Sequence, residues 1–125
     1  MDRLKFSELR EANMKRLPLF RDAKGRICHK PDGSDWTYAQ WLNAATGELG
    51  ELSNLIKKID RGDFTVEELR DDLGREAADV VTYLDILMNR LGIDYGLAVR
   101  NKFNEVSDRV GCDVKLSTFK ITRTG

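Results

Sequence analysis

The sequence predicts an all-α domain, and three features of its pattern lead to that prediction. Apolar residues recur at steps of three and four through most of the chain, as they do on one face of a helix. No segment keeps the strict apolar-polar alternation that is typical of a half-buried strand. Residues that commonly start and stop helices divide the pattern into segments. We therefore expect a bundle of four to five helices.

Length and charge predict one domain over residues 1–125 and exclude several classes of partner. The chain has 125 residues, with 21 basic and 21 acidic side chains, so nothing favours a nucleic acid or an anionic membrane surface as partner. Its longest apolar run is far shorter than the roughly 20 residues of a membrane helix, and the N-terminus lacks the apolar segment of a signal peptide. We expect a cytoplasmic protein.

The N-terminal part predicts one helix and one long loop. A first helix is expected over about Ser7 to Leu17, before Pro18. Residues 21–34 are polar and rich in glycine and proline, which indicates a surface loop, with a substrate-side lid as the alternative. Cys28 and His29 lie in this loop, but two adjacent ligands do not make a zinc site, and both cysteines are expected to be free thiols.

Capping residues predict the ends of the other three helices. Ser34 or Asp35 can cap a second helix that runs to about Ile59. Thr65 and Glu68 form a capping box that starts a third helix. This helix should end at Gly92, Asp94 should cap a fourth helix that reaches Arg109 or Val110, and residues 112–125 should form a tail or a short strand.

Each of the two central helices carries an acidic stripe beside an apolar one. On helix two, the apolar seam is expected to be Ala45, Leu49, Leu52, Ile56 and Ile59, flanked by Trp41, Ala44, Glu48, Glu51, Leu55 and Lys58. On helix three, the seam is expected to be Leu73, Ala77, Val80, Leu84, Leu87 and Leu91, flanked by Asp72, Glu76, Asp79 and Tyr83.

A hairpin between these helices would bring the acids together. If the chain turns at residues 62–63, Glu51 lies level with Glu76, and Glu48 with Asp79. Four carboxylates beside a core repel each other unless a cation neutralises them, and Mg²⁺ prefers such oxygen ligands. The alternative is that these acid pairs lie on solvated helix faces, as most such pairs do.

The ordered motifs resemble the MazG-like branch of the all-α nucleoside triphosphate pyrophosphohydrolases. They are Glu48-Leu49-Gly50-Glu51, then Glu76-Ala77-Ala78-Asp79, then the runs at residues 83–87, 91–94 and 102–109, so that the resemblance covers about residues 36–111. It implies a bundle completed by oligomerisation, as a homodimer or homotetramer. It also implies hydrolysis of a nucleoside triphosphate between the α and β phosphates, giving a monophosphate and pyrophosphate.

The resemblance also implies roles for individual side chains. Glu48, Glu51, Glu76 and Asp79 would hold Mg²⁺, with Mn²⁺ as a substitute, and Glu48 or Glu51 would position the attacking water. Some relatives carry a further acid where this chain has Gly47, so the choice between the two glutamates stays open.

Five side chains are candidates for binding the substrate. Lys102 and Arg109 share a face of helix four and could bind phosphate, as could Lys58 on helix two; ordinary solvated cations are the alternative. Asn104 could bind sugar or phosphate, or could be a surface amide. Trp41 could stack on a base, with a core tryptophan as the alternative, and Trp36 is a weaker candidate.

A different function class also fits the pattern. The same helices could form a non-catalytic module that senses a nucleotide or binds a protein. Such a module would bind tightly without turnover, whereas the enzyme would release pyrophosphate.

Overall fold

Four α-helices and one short 3₁₀ turn are present in the computed structural model, which describes residues 3–21, 23–25 and 35–117. The all-α prediction is confirmed. The elements are α1 (Phe6–Arg16), the 3₁₀ turn (Leu17–Leu19), α2 (Tyr38–Asp60), α3 (Val66–Arg90) and α4 (Tyr95–Arg109). Most of the predicted 21–34 loop, with Cys28, His29 and the proposed cap Ser34, lies outside the described residues.

The start of α2 differs from the sequence prediction. Thr37 is the N-cap, in a capping box with Gln40, and the helix begins at Tyr38. Asp35 does not cap it: its carboxylate pairs with Arg90 at the end of α3 and accepts a hydrogen bond from the Trp36 N–H. The Asp35 side chain is thus bound to a residue 55 positions away in the sequence and is not the cap of α2.

The other predicted caps are confirmed. Thr65 and Glu68 form the capping box of α3, and Gly92 follows that helix with φ +72°. Asp94 caps α4 by accepting a hydrogen bond from the Leu97 N–H at 3.0 Å. Gly111, with φ +71°, follows α4, a conformation that glycine adopts without steric cost.

The seam between α2 and α3 contains two of the acids, and the predicted aliphatic seams are confirmed only in part. Leu49 and Ile56 are exposed, as are Ala77 and Leu91, although the sequence prediction put all four in the seams. The shielded positions of α2 recur at steps of four and three, and they are Trp41, Ala45, Glu48, Leu52, Leu55 and Ile59. The corresponding positions of α3 are Leu69, Leu73, Glu76, Val80, Tyr83 and Leu87.

The register of the hairpin also differs from the prediction. Glu48 lies opposite Glu76, and the Trp41 and Tyr83 rings face each other with centroids 6.3 Å apart. The predicted register paired Glu51 with Glu76, which is an offset of three residues, or about 4.5 Å at helical rise. The turn therefore centres on Gly62, whose φ of +86° allows a tight reversal.

A small core joins α1, α2 and α3. Leu17, Trp41, Ile86 and Leu87 form its buried cluster, and Met14, Tyr83 and Met88 pack against it. Trp41 is 1 % exposed and its ring lies 4.6 Å from that of Trp36. The 3₁₀ turn thus closes over the tryptophan at the N-terminal end of α2.

A buried carboxylate fixes α1 to α3. Asp85, which is 0 % exposed, accepts hydrogen bonds from Arg10 Nε at 3.2 Å and from Asn13 Nδ2 at 3.0 Å. Arg10 also donates to the Ile93 carbonyl at 2.9 Å, and Asn13 to the Thr82 carbonyl at 3.5 Å. Both carboxylate oxygens are therefore satisfied, which offsets the cost of burying the charge.

The start of α1 packs closely against the start of α4. The Phe6 and Tyr95 rings meet edge to face, with centroids 5.4 Å apart. A Cβ atom on Gly96 would lie 3.0 Å from the Cβ of Phe6, so the absence of a side chain at Gly96 permits this approach.

The described tail, residues 112–117, folds back along α4. The Asn104 amide donates to the Leu116 carbonyl and accepts from the Leu116 N–H, both at 2.8 Å. Lys115 pairs with Asp108 one turn further along. Helix α4 contacts α1 and α3, and no contact with α2 is found among the described residues.

None of the helices in the described ranges is both long and apolar enough to span a bilayer. This finding agrees with the composition of α2 and α3, the two longest helices, each of which contains several charged residues.

Candidate metal centre

Three carboxylates converge in the α2–α3 seam. Glu48 from α2 and Glu76 and Asp79 from α3 each offer an oxygen, and these oxygens lie within 4.8 Å of one another. Glu48 and Glu76 are half-buried and Asp79 is exposed. The cluster therefore has a shielded inner side and an open outer side. A ligand could reach it from solvent.

One oxygen of the cluster lacks a hydrogen-bond donor. Glu76 Oε2 is buried, and while Glu48 is ionised no donor to it exists among the residues that the structure describes. A buried anionic oxygen without a donor or cation is costly. A divalent cation would satisfy this oxygen together with those of Glu48 and Asp79, since carboxylates suit hard ions such as Mg²⁺, Mn²⁺ and Ca²⁺. The donor set fits such an ion.

The cluster also raises the pKa of Glu48 from an ordinary value of 4.5 to about 7. The main cause is a hydrogen bond with the Glu76 carboxyl group, which requires a proton on Glu48. Burial and repulsion from Glu76, Asp79 and Glu51 act in the same direction. In the absence of a metal ion, a proton on Glu48 reduces the charge of the cluster.

This proton makes the stability of the metal-free protein depend on pH. Between pH 4.5 and about 7, the folded state holds a proton on Glu48 that the unfolded state has lost. The free energy of unfolding therefore falls as pH rises through this window. We expect the melting temperature in EDTA to fall over the same range, and less so in Glu48→Gln. Glu11→Gln is the control, because Glu11 is exposed and its pKa is lowered by Lys15. A wild-type fall that persists unchanged in Glu48→Gln would contradict this assignment.

Glu51 lies outside the cluster. It is exposed, three residues from Glu48 on α2, and its carboxylate does not share the 4.8 Å group. It is near enough to contribute to the raised pKa of Glu48. The structure thus brings three of the four predicted acids together and leaves the fourth at the rim.

Tyr83 borders the cluster and was missing from the predicted site residues. Its pKa is raised overall. Burial is the main cause, the carboxylates of Glu48 and Asp79 add to it, and Arg16 offsets part of the increase. The sequence places Tyr83 one turn after Asp79 on the acidic stripe, which is the signal that could have assigned it. Tyr83 lies near the acids because it occupies the same α2–α3 seam as Glu76.

The two substrate-binding candidates on α2 occupy different environments. Trp41 is buried in the core between Trp36 and Tyr83, which agrees with the core alternative. Lys58 is exposed, and its Cα lies ten residues from Glu48, or about 15 Å along the helix. Neither contacts the cluster directly.

The three candidates on α4 are not joined to the cluster by any described contact. Lys102 pairs with Glu105 at 3.4 Å, and the Asn104 amide binds the backbone of Leu116. Arg109 is exposed in the last turn of α4. No contact between α4 and α2 is found in the described residues, and none of these three side chains belongs to the carboxylate cluster.

A cavity of about 1130 Å³ lies elsewhere, between the start of α1, the α3–α4 turn and Leu116. Asp85 lines it, but none of the clustered acids does. Asp85 and Glu76 are nine residues apart on α3, which places them on opposite sides of the helix at about 100° per residue. The cavity and the carboxylate cluster are therefore separate features.

Comparisons with known proteins give one partial similarity. The chain is 35 % identical over 65 residues to the Gene 37 protein of Mycobacterium phage L5. The match spans 50 % of this chain and 57 % of the phage protein. No protein-family model matches the chain, and no solved structure matches it significantly. These comparisons carry no activity over to the chain.

Proposed function

We propose that the chain is a metal-dependent nucleoside triphosphate pyrophosphohydrolase that acts at the Glu48, Glu76 and Asp79 cluster. The observation that supports this most directly is the burial of two glutamates in an apolar seam, with Glu76 Oε2 lacking a donor in the described residues. A solvated helix face would not shield two acids in this way. The motif resemblance around these residues supplies the reaction class.

The proposed cofactor is Mg²⁺, with Mn²⁺ as a substitute, held by Glu48, Glu76 and Asp79. When bound, the ion would neutralise polyphosphate charge and favour an ionised or well-aimed water. The open side of the cluster, at Asp79, is the side from which phosphate oxygens could complete the shell.

The protein groups would orient and deprotonate the water. Its oxygen would attack the α-phosphorus, and the bond to the α–β bridging oxygen would break, which yields the monophosphate and pyrophosphate. We assign the positioning of the water to Glu51, because it lies at the rim of the cluster and is not engaged with the other carboxylates. Glu48 is the alternative, since it belongs to the cluster and the motif resemblance allows either glutamate of the first pair in this role.

We further propose a homodimer or homotetramer. Leu42, Leu49 and Ile56 recur every seven residues on α2 and are 48 %, 54 % and 44 % exposed. A second copy covering this stripe would remove a continuous apolar surface from water. It could also bring Lys102, Asn104 or Arg109 of one copy toward the acids of another. A monomer by light scattering at micromolar concentration would contradict this proposal.

The enzymatic proposal is tested by product analysis with all eight common nucleoside triphosphates, in Mg²⁺ and in Mn²⁺. We expect pyrophosphate and a monophosphate from at least one of them, and loss of both products in EDTA. Glu51→Gln and Asp79→Asn should abolish release while circular dichroism shows retained helices. The exposed acid Glu67, which pairs with Arg70, provides a matched control in Glu67→Gln.

The same assay separates the enzyme from the non-catalytic module. Tight nucleotide binding without pyrophosphate release would favour a sensor, and orthophosphate release would indicate a phosphatase. Absence of monophosphate from every nucleotide with either metal would contradict the proposed function.

A further inference from the structure

Helix α1 runs antiparallel to α3, and its register brings its C-terminal end near the carboxylate cluster. Arg10 reaches Asp85 and the Ile93 carbonyl, and Asn13 reaches Asp85 and the Thr82 carbonyl. Each turn of α1 therefore advances toward the N-terminus of α3. One further turn along α1, Arg16 lies level with the part of α3 between Asp79 and Tyr83.

The residue after Arg16 fixes this position. Leu17 is 3 % exposed and belongs to the core cluster with Trp41, against which Tyr83 also packs. The Arg16 guanidinium carbon lies 5.7 Å from the centroid of the Phe20 ring, which restrains the side chain at the surface. The backbone at Arg16 is thus held by the core while its charged group remains exposed.

Arg16 has no carboxylate partner among the described residues, unlike its neighbour. Lys15 pairs with Glu11 at 2.9 Å. The charges of Glu48, Asp79 and Arg16 all act on the Tyr83 phenol, so these groups lie in its neighbourhood. Arg16 is therefore a cation near the acids that has no carboxylate partner in the described residues.

We propose that Arg16 binds the β and γ phosphates of the substrate and retains the pyrophosphate product at the cluster. This inference rests on the proposed function and adds a residue from α1 that no sequence motif indicates. A planar guanidinium can donate two parallel hydrogen bonds to phosphate oxygens. Ionised carboxylates cannot donate to phosphate, so a guanidinium beside them would supply hydrogen bonds to the phosphate oxygens that the metal ion does not bind.

Binding of Mg²⁺ with inorganic pyrophosphate, measured by calorimetry, tests Arg16 without any turnover. We expect Arg16→Gln to weaken binding about 10- to 100-fold, as for the loss of a charge-assisted hydrogen bond. Arg16→Lys keeps the charge but not the paired donors, and should fall between Arg16→Gln and wild type. Lys15→Gln is the matched control and should bind as wild type does.

The outcomes distinguish this inference from the proposed function. Arg16→Gln binding pyrophosphate as tightly as wild type would overturn the role of Arg16, even if the enzyme is active. Wild type that binds no pyrophosphate with Mg²⁺ would overturn it as well. Wild type that binds pyrophosphate through Arg16 but hydrolyses no triphosphate would overturn the proposed activity alone. Circular dichroism of each variant checks that the helices are retained.

Discussion

Glu76→Gln is expected to lower pyrophosphate release by about 10²- to 10³-fold and to raise the melting temperature of the metal-free protein. The activity should fall because the substitution removes a charged oxygen that would hold the cation, and losing one group that stabilises charge in the transition state typically costs this much. The stability should rise because a neutral amide replaces a half-buried carboxylate whose Oε2 lacks a donor in the described residues. Above pH 7, where Glu48 is ionised, it also removes the repulsion between Glu76 and Glu48, so the rise should be measured there.

The opposite signs of these two effects are the informative part of the experiment. A merely structural carboxylate would lose stability on substitution, whereas a metal ligand in an apolar seam should gain it when no metal is present. The melting temperature is measured in EDTA and in excess Mg²⁺. The Mg²⁺-dependent increase of the melting temperature should disappear in the variant. Glu67→Gln is a suitable control on the same helix, since Glu67 is exposed and pairs with Arg70. A lower melting temperature for Glu76→Gln in EDTA would contradict the interpretation of this site.

Asp85→Ala is expected to destabilise the protein by about 3–5 kcal/mol, as measured by urea unfolding. Asp85 is fully buried and accepts from both Arg10 and Asn13, so its removal leaves a cation and an amide without their partner at the α1–α3 contact. The loss should be cooperative, because the Arg10 and Asn13 contacts that hold α1 share this one carboxylate.

Two further variants make the Asp85 prediction specific. Asp71→Ala, at an exposed position of α3, should change the free energy of unfolding by no more than about 0.5 kcal/mol. Asp85→Asn keeps the shape but loses the charge opposite Arg10, so its cost should be intermediate. A loss below about 1 kcal/mol for Asp85→Ala would mean that the ion pair does no more than balance its own desolvation.

The sequence was sufficient for the helices where local chemistry sets their ends. Thr65 with Glu68, and Asp94, cap their helices as predicted, because the groups that they bind lie within three residues. The start of α2 was wrong because Asp35 binds Arg90, a contact that no local pattern encodes. The docking of α1 likewise depends on Asp85, far along the chain.

The site could be predicted as a set of residues but not as an arrangement. Sorting by hydrophobicity placed Leu49 and Ile56 in the seam and the acids beside it, whereas the seam holds Glu48 and Glu76 among apolar positions. The predicted hairpin register, which rested on the assumed position of the turn, was offset by three residues and paired Glu51 with Glu76. Two acids in an apolar seam depart from the rule that apolar residues occupy the buried face of a helix, and such departures are expected at functional sites.

The close approach of Phe6 to Gly96 has a consequence for sequence change in homologues. Since a Cβ at position 96 would lie 3.0 Å from the Cβ of Phe6, an alanine there requires the first turn of α1 to shift. Positions 6 and 96 should therefore vary together, with a larger residue at 96 tolerated where position 6 carries a glycine or where α1 begins later. Such paired variation would identify the homologues that dock an N-terminal helix in the same way, independently of the carboxylate motifs.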